Sequence, residues 1–491
     1  MRHFRLADRD LGALAAGRPS PATLAVLRKA QLSRHLLLLS EIAKTEAPTW
    51  YASSPSRNIL ADPATGLYAA TAIAMMRDGH RPPDRAALVG AAPTVTVTCD
   101  DLTLRVRLED ADPLRDRLGL PPTGRLSPAE IDRWQHLLSE SWQLLVRRHR
   151  AAAEILAGVL RVIVPVEPDP AADAVSATSA HAYGALAMSA PTDPVSLSVG
   201  LIHETAHSLL NGTTLLFDLV RPSPALGYSP WRDDPRPAAG ILHGAYAYLA
   251  VTRFWRTEAA ADGSRLAQFE FARWRAAVAG AADGLLAGGV LTAAGQRFVG
   301  ALRAEAGRWL DEPVDGDIAR LAAGANLDHR VRWRLRNLRV PEATTRALLD
   351  AWRHGDRRPG LPEPEVVPGA RRLEVNDRLA LVHAWLRGDD AGAVRQRNEA
   401  RGDQRLRAGG GVRPGDAAWL GGDHGTGLDA YVSELENAGV SAPPSEIDAA
   451  LAGLALVSGQ RAARDRPEVV RAMWAALDPR PGLGALLEWL G

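Results

Sequence analysis

Among 491 residues the chain has one cysteine, Cys99, and two lysines, Lys29 and Lys44. A single thiol excludes an intramolecular disulfide and a thiolate metal cluster, which leaves any metal chemistry to histidine and carboxylate. Arginine supplies the rest of the 58 basic side chains. A charge excess of either sign is missing too: 58 basic against 57 acidic residues leave a net charge of +1. That balance argues against a bulk nucleic-acid binder. No uncharged apolar run reaches membrane-spanning length, since the best stretch, 151–166, is interrupted by Glu154 and Arg161. The first residues carry Asp8 and Asp10 where a secretory signal needs an apolar core. These absences predict a cytoplasmic setting with neither membrane nor nucleic acid as partner. A hydrophobic content of 46% with 23% charged residues is ordinary for a globular protein, and the length predicts more than one domain.

The periodicities predict an α+β fold, predominantly helical. Residues 1–126 read as a helical region followed by a β-hairpin. In the helical part, 23–42 has apolar residues at helical spacing. In the hairpin, Val95 and Val97, then Leu102, Leu104, Val106 and Leu108, alternate with polar residues around an Asp100-Asp101 turn. Ser127-Pro128-Ala129-Glu130 is a capping box that opens one long helix to about residue 160. Short β-rich stretches follow at 161–168 and 181–191, and helices dominate from 195 onward apart from a Pro/Gly-rich loop at 221–237. A core domain is thus expected over 127–354, a proline-rich linker over 355–371, and a helical domain over 372–491. In that last segment NDRLALVHAWLRGDDAGAV and PGDAAWLGGDHGTGLDAYV are loose copies suggesting tetratricopeptide-like helix pairs.

The chemistry concentrates in LSVGLIHETAHSLLNG, residues 197–212. His203-Glu204-Thr205-Ala206-His207 is an HExxH sequence. Each helical residue turns about 100°, so positions i and i+4 lie about 40° apart and both imidazoles reach one ion, with Glu204 flanking it. Asn211-Gly212 is a fitting helix stop. A third ligand must come from elsewhere. The residue six positions after His207 is Thr213, which excludes a metzincin pattern, and no glutamate lies between Glu204 and Glu258. Asp218, His243 and Glu258 are the candidates. His243 is favoured, because Gly240, Gly244 and Ala247 beside it allow a close helix approach. Just upstream, Arg232 and Arg236 in SPWRDDPRP could clamp a carboxylate in bidentate fashion, or pair internally with Asp233 or Asp234. The run RVRWRLRN (330–337) reads as a solvated or acid-paired helix face.

These segments resemble a bacterial family of HExxH-containing peptide-modification proteins. The likeness rests on LIHETAHSLL, on YSPWRDDPRPAAGILHGAYAYLAVTRFW, on HRVRWRLRN, and on the tail with GLALVSG and RPEVVRAMW. Members of that family include 2-oxoglutarate-dependent β-hydroxylases of ribosomally made natural-product peptides. The resemblance implies a zincin-like core holding iron(II) through His203, His207 and His243. It also implies 2-oxoglutarate with its carboxylate on an arginine, Arg236 before Arg232, and a precursor peptide as substrate. Three protein ligands on an octahedral iron leave two positions for 2-oxoglutarate and one for dioxygen. Glu204 would then orient a ligand or bind substrate. The strand at Ala185–Ser189 is expected at the sheet edge, open to an extended peptide. Two other readings remain: a zinc metallopeptidase with Glu204 as general base, and a non-catalytic peptide-binding adaptor.

Overall fold

The computed structural model describes residues 4–45, 57–81, 92–169, 174–367, 376–388, 412–438, 443–477 and 482–491. Helices predominate and the sheet is small, as the periodicities predict. The chain forms two compact units that interleave along the sequence. The first is Met1–Pro222, Leu242–Thr257 and Val278–Trp309; the second is Ser223–Ile241, Glu258–Ala277 and Leu310–Gly491.

The first unit is organised by a mixed sheet in the order β1-β2-β3-β5-β4. Its strands are β1 (Thr94–Cys99), β2 (Leu102–Leu108), β3 (Val162–Pro165), β4 (Ser176–Ala177) and β5 (Ala185–Met188). The hairpin forms in the expected register, Cys99 opposite Leu102, and Asp100 takes the left-handed conformation its turn needs. β3 pairs in parallel with both β2 and β5. β3 and β5 are buried on two faces: Ile163, Leu186 and Met188 enter one apolar cluster, Val162, Val164, Ala185 and Ala187 another. Two covered faces explain why these strands read as unbroken apolar runs.

The edge strand differs from expectation. β5 is bonded to β3 along its length and to β4 at Ala187 and Met188, so it is not the outer strand of the sheet. Among the described residues the outer strand on that side is β4.

The capping box is present, with Ser127 Oγ accepting from Glu130 N and Glu130 from Ser127 N. The single helix expected from it is two, Pro128–Arg148 and Arg150–Val159, because His149 leaves helical geometry and stacks on Phe254 at 4.2 Å. Trp134, Leu138, Trp142 and Leu145 of the first helix pack on the sheet with Leu197 and Leu201 of the HExxH helix. At the N-terminus, helix Asp8–Ala15 docks on segment 242–257: Tyr246 Oη donates to Leu14 O, and Arg253 donates to the carbonyls of Ala16 and Gly17.

The second unit is helical around one apolar cluster that includes Phe269, Leu321, Trp419, Leu454, Met473, Trp474 and Leu486. Residues after the proline-rich stretch thus share a core with 310–354. Within that stretch, Glu365–Val366 pairs with Leu338–Arg339, and residues 368–371 lie outside the described residues. Of the two loose repeats, the second folds as helices Pro414–Leu420 and His424–Asn437. The first contributes helix Asp377–Arg387, and its remainder from 389 lies outside the described residues. In the arginine run, Arg332 bonds Asp328 and Arg334 bonds Glu468 through two nitrogens, an acid-paired face. No helix among the described residues is long and apolar enough to cross a membrane.

Candidate metal centre

The HExxH helix spans Pro194–Thr214. Asp193 caps it, its Oδ1 accepting from Val195 N and Ser196 N, and Pro194 fills the first turn, where no N–H is needed. The helix passes Asn211-Gly212 and ends at Thr214. Gly212 is a packing position rather than a stop: a Cβ there would lie 3.0 Å from the Tyr183 ring.

His203 and His207 meet through their Nε2 atoms at 3.1 Å, with rings nearly perpendicular at 84°. Two bonds of about 2.1 Å to one ion span about 3.0 Å at a right angle and about 3.4 Å at the tetrahedral angle. The observed spacing therefore suits an ion between them. Burial drives both imidazoles towards neutrality, His203 to about 4 and His207 to about 3, with repulsion from His203 and His243 adding to the latter. Neutral nitrogens are the ligating form.

Glu204 is 2% exposed, and its Oε1 accepts from Ser176 Oγ at 2.7 Å. Burial raises its pKa; His207 and the hydroxyls of Ser176 and Thr178 oppose that. Its other oxygen, Oε2, is buried and makes no hydrogen bond among the described residues. A buried carboxylate oxygen without a partner is costly unless a cation or a proton joins it; the oxygen beside His203 Nε2, at 3.9 Å, is the other one, Oε1. Donor atoms of His203, Glu204 and His207 all lie within 4.8 Å of one another.

His243 also reaches the cluster. It meets His207 Nδ1 with its own Nδ1 at 3.4 Å, on the ring edge away from His203. As placed, it can hold the His207 ring through a nitrogen that an ion at Nε2 leaves free. Tyr248 sets its ring edge-on to His203, centroids 5.2 Å apart.

Asp218 is bound through its carbonyl to Thr292, and Glu258 belongs to the second unit. Arg232 and Arg236 also belong to the second unit, where both bond Asp234: Arg232 Nε at 2.9 Å and Arg236 Nη1 at 3.3 Å. Burial alone would raise the Asp234 carboxyl, but the two arginines bring it below its usual value. The loop is anchored by Asn337 donating to Asp233 O, and Gly240 leaves room for the Arg236 side chain over the helix start.

Sequence reasoning missed Ser176, whose serine- and alanine-rich surroundings carry no chemical signature. Ser176→Ala is expected to leave the fold intact and weaken metal affinity about 10-fold, the scale of losing a group that orients a ligand. Metal titration of the variant checks this; unchanged affinity would remove Ser176 from the site.

No protein-family model matches the chain. No curated protein sequence matches it either.

Proposed function

We propose that the protein is a mononuclear iron(II) enzyme that uses 2-oxoglutarate to hydroxylate a β-carbon in a ribosomally made peptide. The observation that carries the metal is the His203–His207 nitrogen pair at 3.1 Å, with a Glu204 carboxylate oxygen within 4.8 Å of a donor nitrogen of each. Two histidines and a carboxylate are the donor set of non-haem iron(II) oxygenases. His243 is the alternative third donor, as the family likeness implies, and otherwise steadies His207. Comparing Glu204→Gln with His243→Ala separates the two: the true ligand's loss abolishes binding, and a positioning residue's loss weakens it about 10- to 100-fold.

Iron(II) with 2-oxoglutarate and dioxygen supplies an oxidant strong enough to remove hydrogen from an unactivated carbon. The chain's own part is placement and exclusion. Ser176 holds the Glu204 carboxylate from the sheet edge, and Tyr248 shields His203 on one side. The family likeness implies an arginine for the distal carboxylate of 2-oxoglutarate, and Arg236 and Arg232 are the candidates for it. The test is anaerobic addition of 2-oxoglutarate to the iron(II)-loaded protein. A visible charge-transfer band is expected, requiring about tenfold more 2-oxoglutarate in the arginine variant that removes the clamp. Absence of the band in the unaltered protein would overturn the assignment.

A zinc metallopeptidase is the second reading, since HExxH also serves hydrolysis with the glutamate as base. Against it stands the Glu204 carboxylate, already tied to Ser176 and almost fully buried.

A further inference from the structure

Apart from the histidine cluster, the first unit contains an open cavity of about 360 Å³, lined by Arg28, Asp62, Arg105, Arg107 and Arg161 among others. Four arginines and one carboxylate face one space. Asp62 is already used, bonding Arg107 through both its oxygens at 2.9 and 3.0 Å, while Arg107 Nε donates to Glu109. Arg28, Arg105 and Arg161 have no ion-pair partner among the described residues. Arg161 spends its N–H groups on the carbonyls of Ala157, Gly158 and Leu160 at a helix C-terminus, which satisfies the donors without neutralising the charge. Burial and the neighbouring Arg28 both disfavour its charged form.

A second observation comes from a neighbouring recess of about 20 Å³, which shares Arg28, Ala61 and Arg161 with the cavity and is lined also by Gln31 and Tyr183. Gln31 is 3% exposed, and neither its Oε1 nor its Nε2 makes a hydrogen bond among the described residues. A buried amide with both ends unused is costly unless a partner arrives. Solvated surface arginines would explain Arg28 and Arg105, but not the orphaned amide in the recess.

We infer that this cavity binds a small oxyanion, a phosphate or carboxylate group, gripped by Arg28 and Arg105 with the Arg161 charge beside them, and that a second polar group of the same ligand reaches Gln31. Guanidinium forks match both anions in bidentate fashion, and a volume of this size suits a metabolite rather than a folded partner. The site is independent of the metal and of the proposed hydroxylation.

The test is calorimetric titration of the full chain, stripped of metal, with inorganic phosphate and separately with citrate in a chloride buffer. Saturable binding of one equivalent is expected, weakened at least tenfold in Arg28→Gln and in Arg105→Gln, both exposed and so free to change without unfolding the chain. Gln31→Leu should weaken binding as well. Preference for phosphate assigns a phosphate ester, and preference for citrate assigns a carboxylate. Failure of both anions to bind at millimolar concentration, or equal binding by the arginine variants, would overturn the inference.

Discussion

Replacing either His203 or His207 with alanine is expected to lower bound iron(II) from one ion per chain to background. The expectation follows from the count of donors. The two Nε2 atoms lie 3.1 Å apart, and the third donor, whether Glu204 or His243, leaves only two ligands once either histidine is gone. Two donors seldom hold a divalent ion in a site where three protein ligands are the rule. The fold should survive, because the helix is held by Leu197, Leu201, Leu209 and Leu210, and by its Asp193 cap, none of which the substitution touches. Far-ultraviolet circular dichroism should therefore be unchanged while metal analysis falls. Full metal occupancy in His207→Ala would place the ion elsewhere.

Arg378→Met is expected to destabilise the second unit by about 3–5 kcal/mol, the usual result of breaking a buried charge network by removing one partner. Arg378 is 2% exposed. Its Nε donates to Asp416 at 2.8 Å, it pairs with Asp328, and it donates to Ala449 O at 3.1 Å. Tyr431 closes the network with a hydrogen bond to Asp416, and Asn376 and Arg332 complete Asp328. Without Arg378, two buried acids lose their shared counter-charge. Trp419 and Trp474 lie in the same core, so tryptophan fluorescence during denaturant unfolding reads the change. A loss under about 1 kcal/mol would mean that the network is structurally dispensable.

The same cluster gives an acid dependence of known sign. Burial alone would raise the Asp328 carboxyl, but Arg378, Arg332 and Asn376 hold it at about 2, below its ordinary value of 3.8. A depressed carboxyl stabilises the folded state above its unfolded value and loses that contribution as pH falls through the folded one. Stability of this unit should therefore decline between about pH 4 and pH 2, and less steeply in Asp328→Asn.

What could be read from the chain was what local rules govern. The Ser127 capping box, the alternation around Asp100 and the i, i+4 histidines each follow from a few adjacent residues, and each forms as read. Features set by distant partners could not be read. His149 breaks a helix that its own neighbours favour because Phe254 waits more than a hundred residues later. β5 loses its edge to β4, two residues in a stretch with no alternation. Ser176 acquires meaning only through Glu204, and the orientation of His243, Nδ1 towards His207, is a rotamer outcome that spacing does not encode. Arg232 and Arg236 were legible as a pair, and their shared Asp234 was one of two partners the sequence allowed.

The central claim is that the HExxH helix serves oxidation rather than hydrolysis. Its most direct test is succinate formation by the purified protein supplied with iron(II), 2-oxoglutarate and air, with His207→Ala as control. The account predicts iron-dependent succinate from the unaltered chain and none from the variant. No succinate with iron, together with peptide cleavage by the zinc-loaded protein in the absence of 2-oxoglutarate, would contradict it.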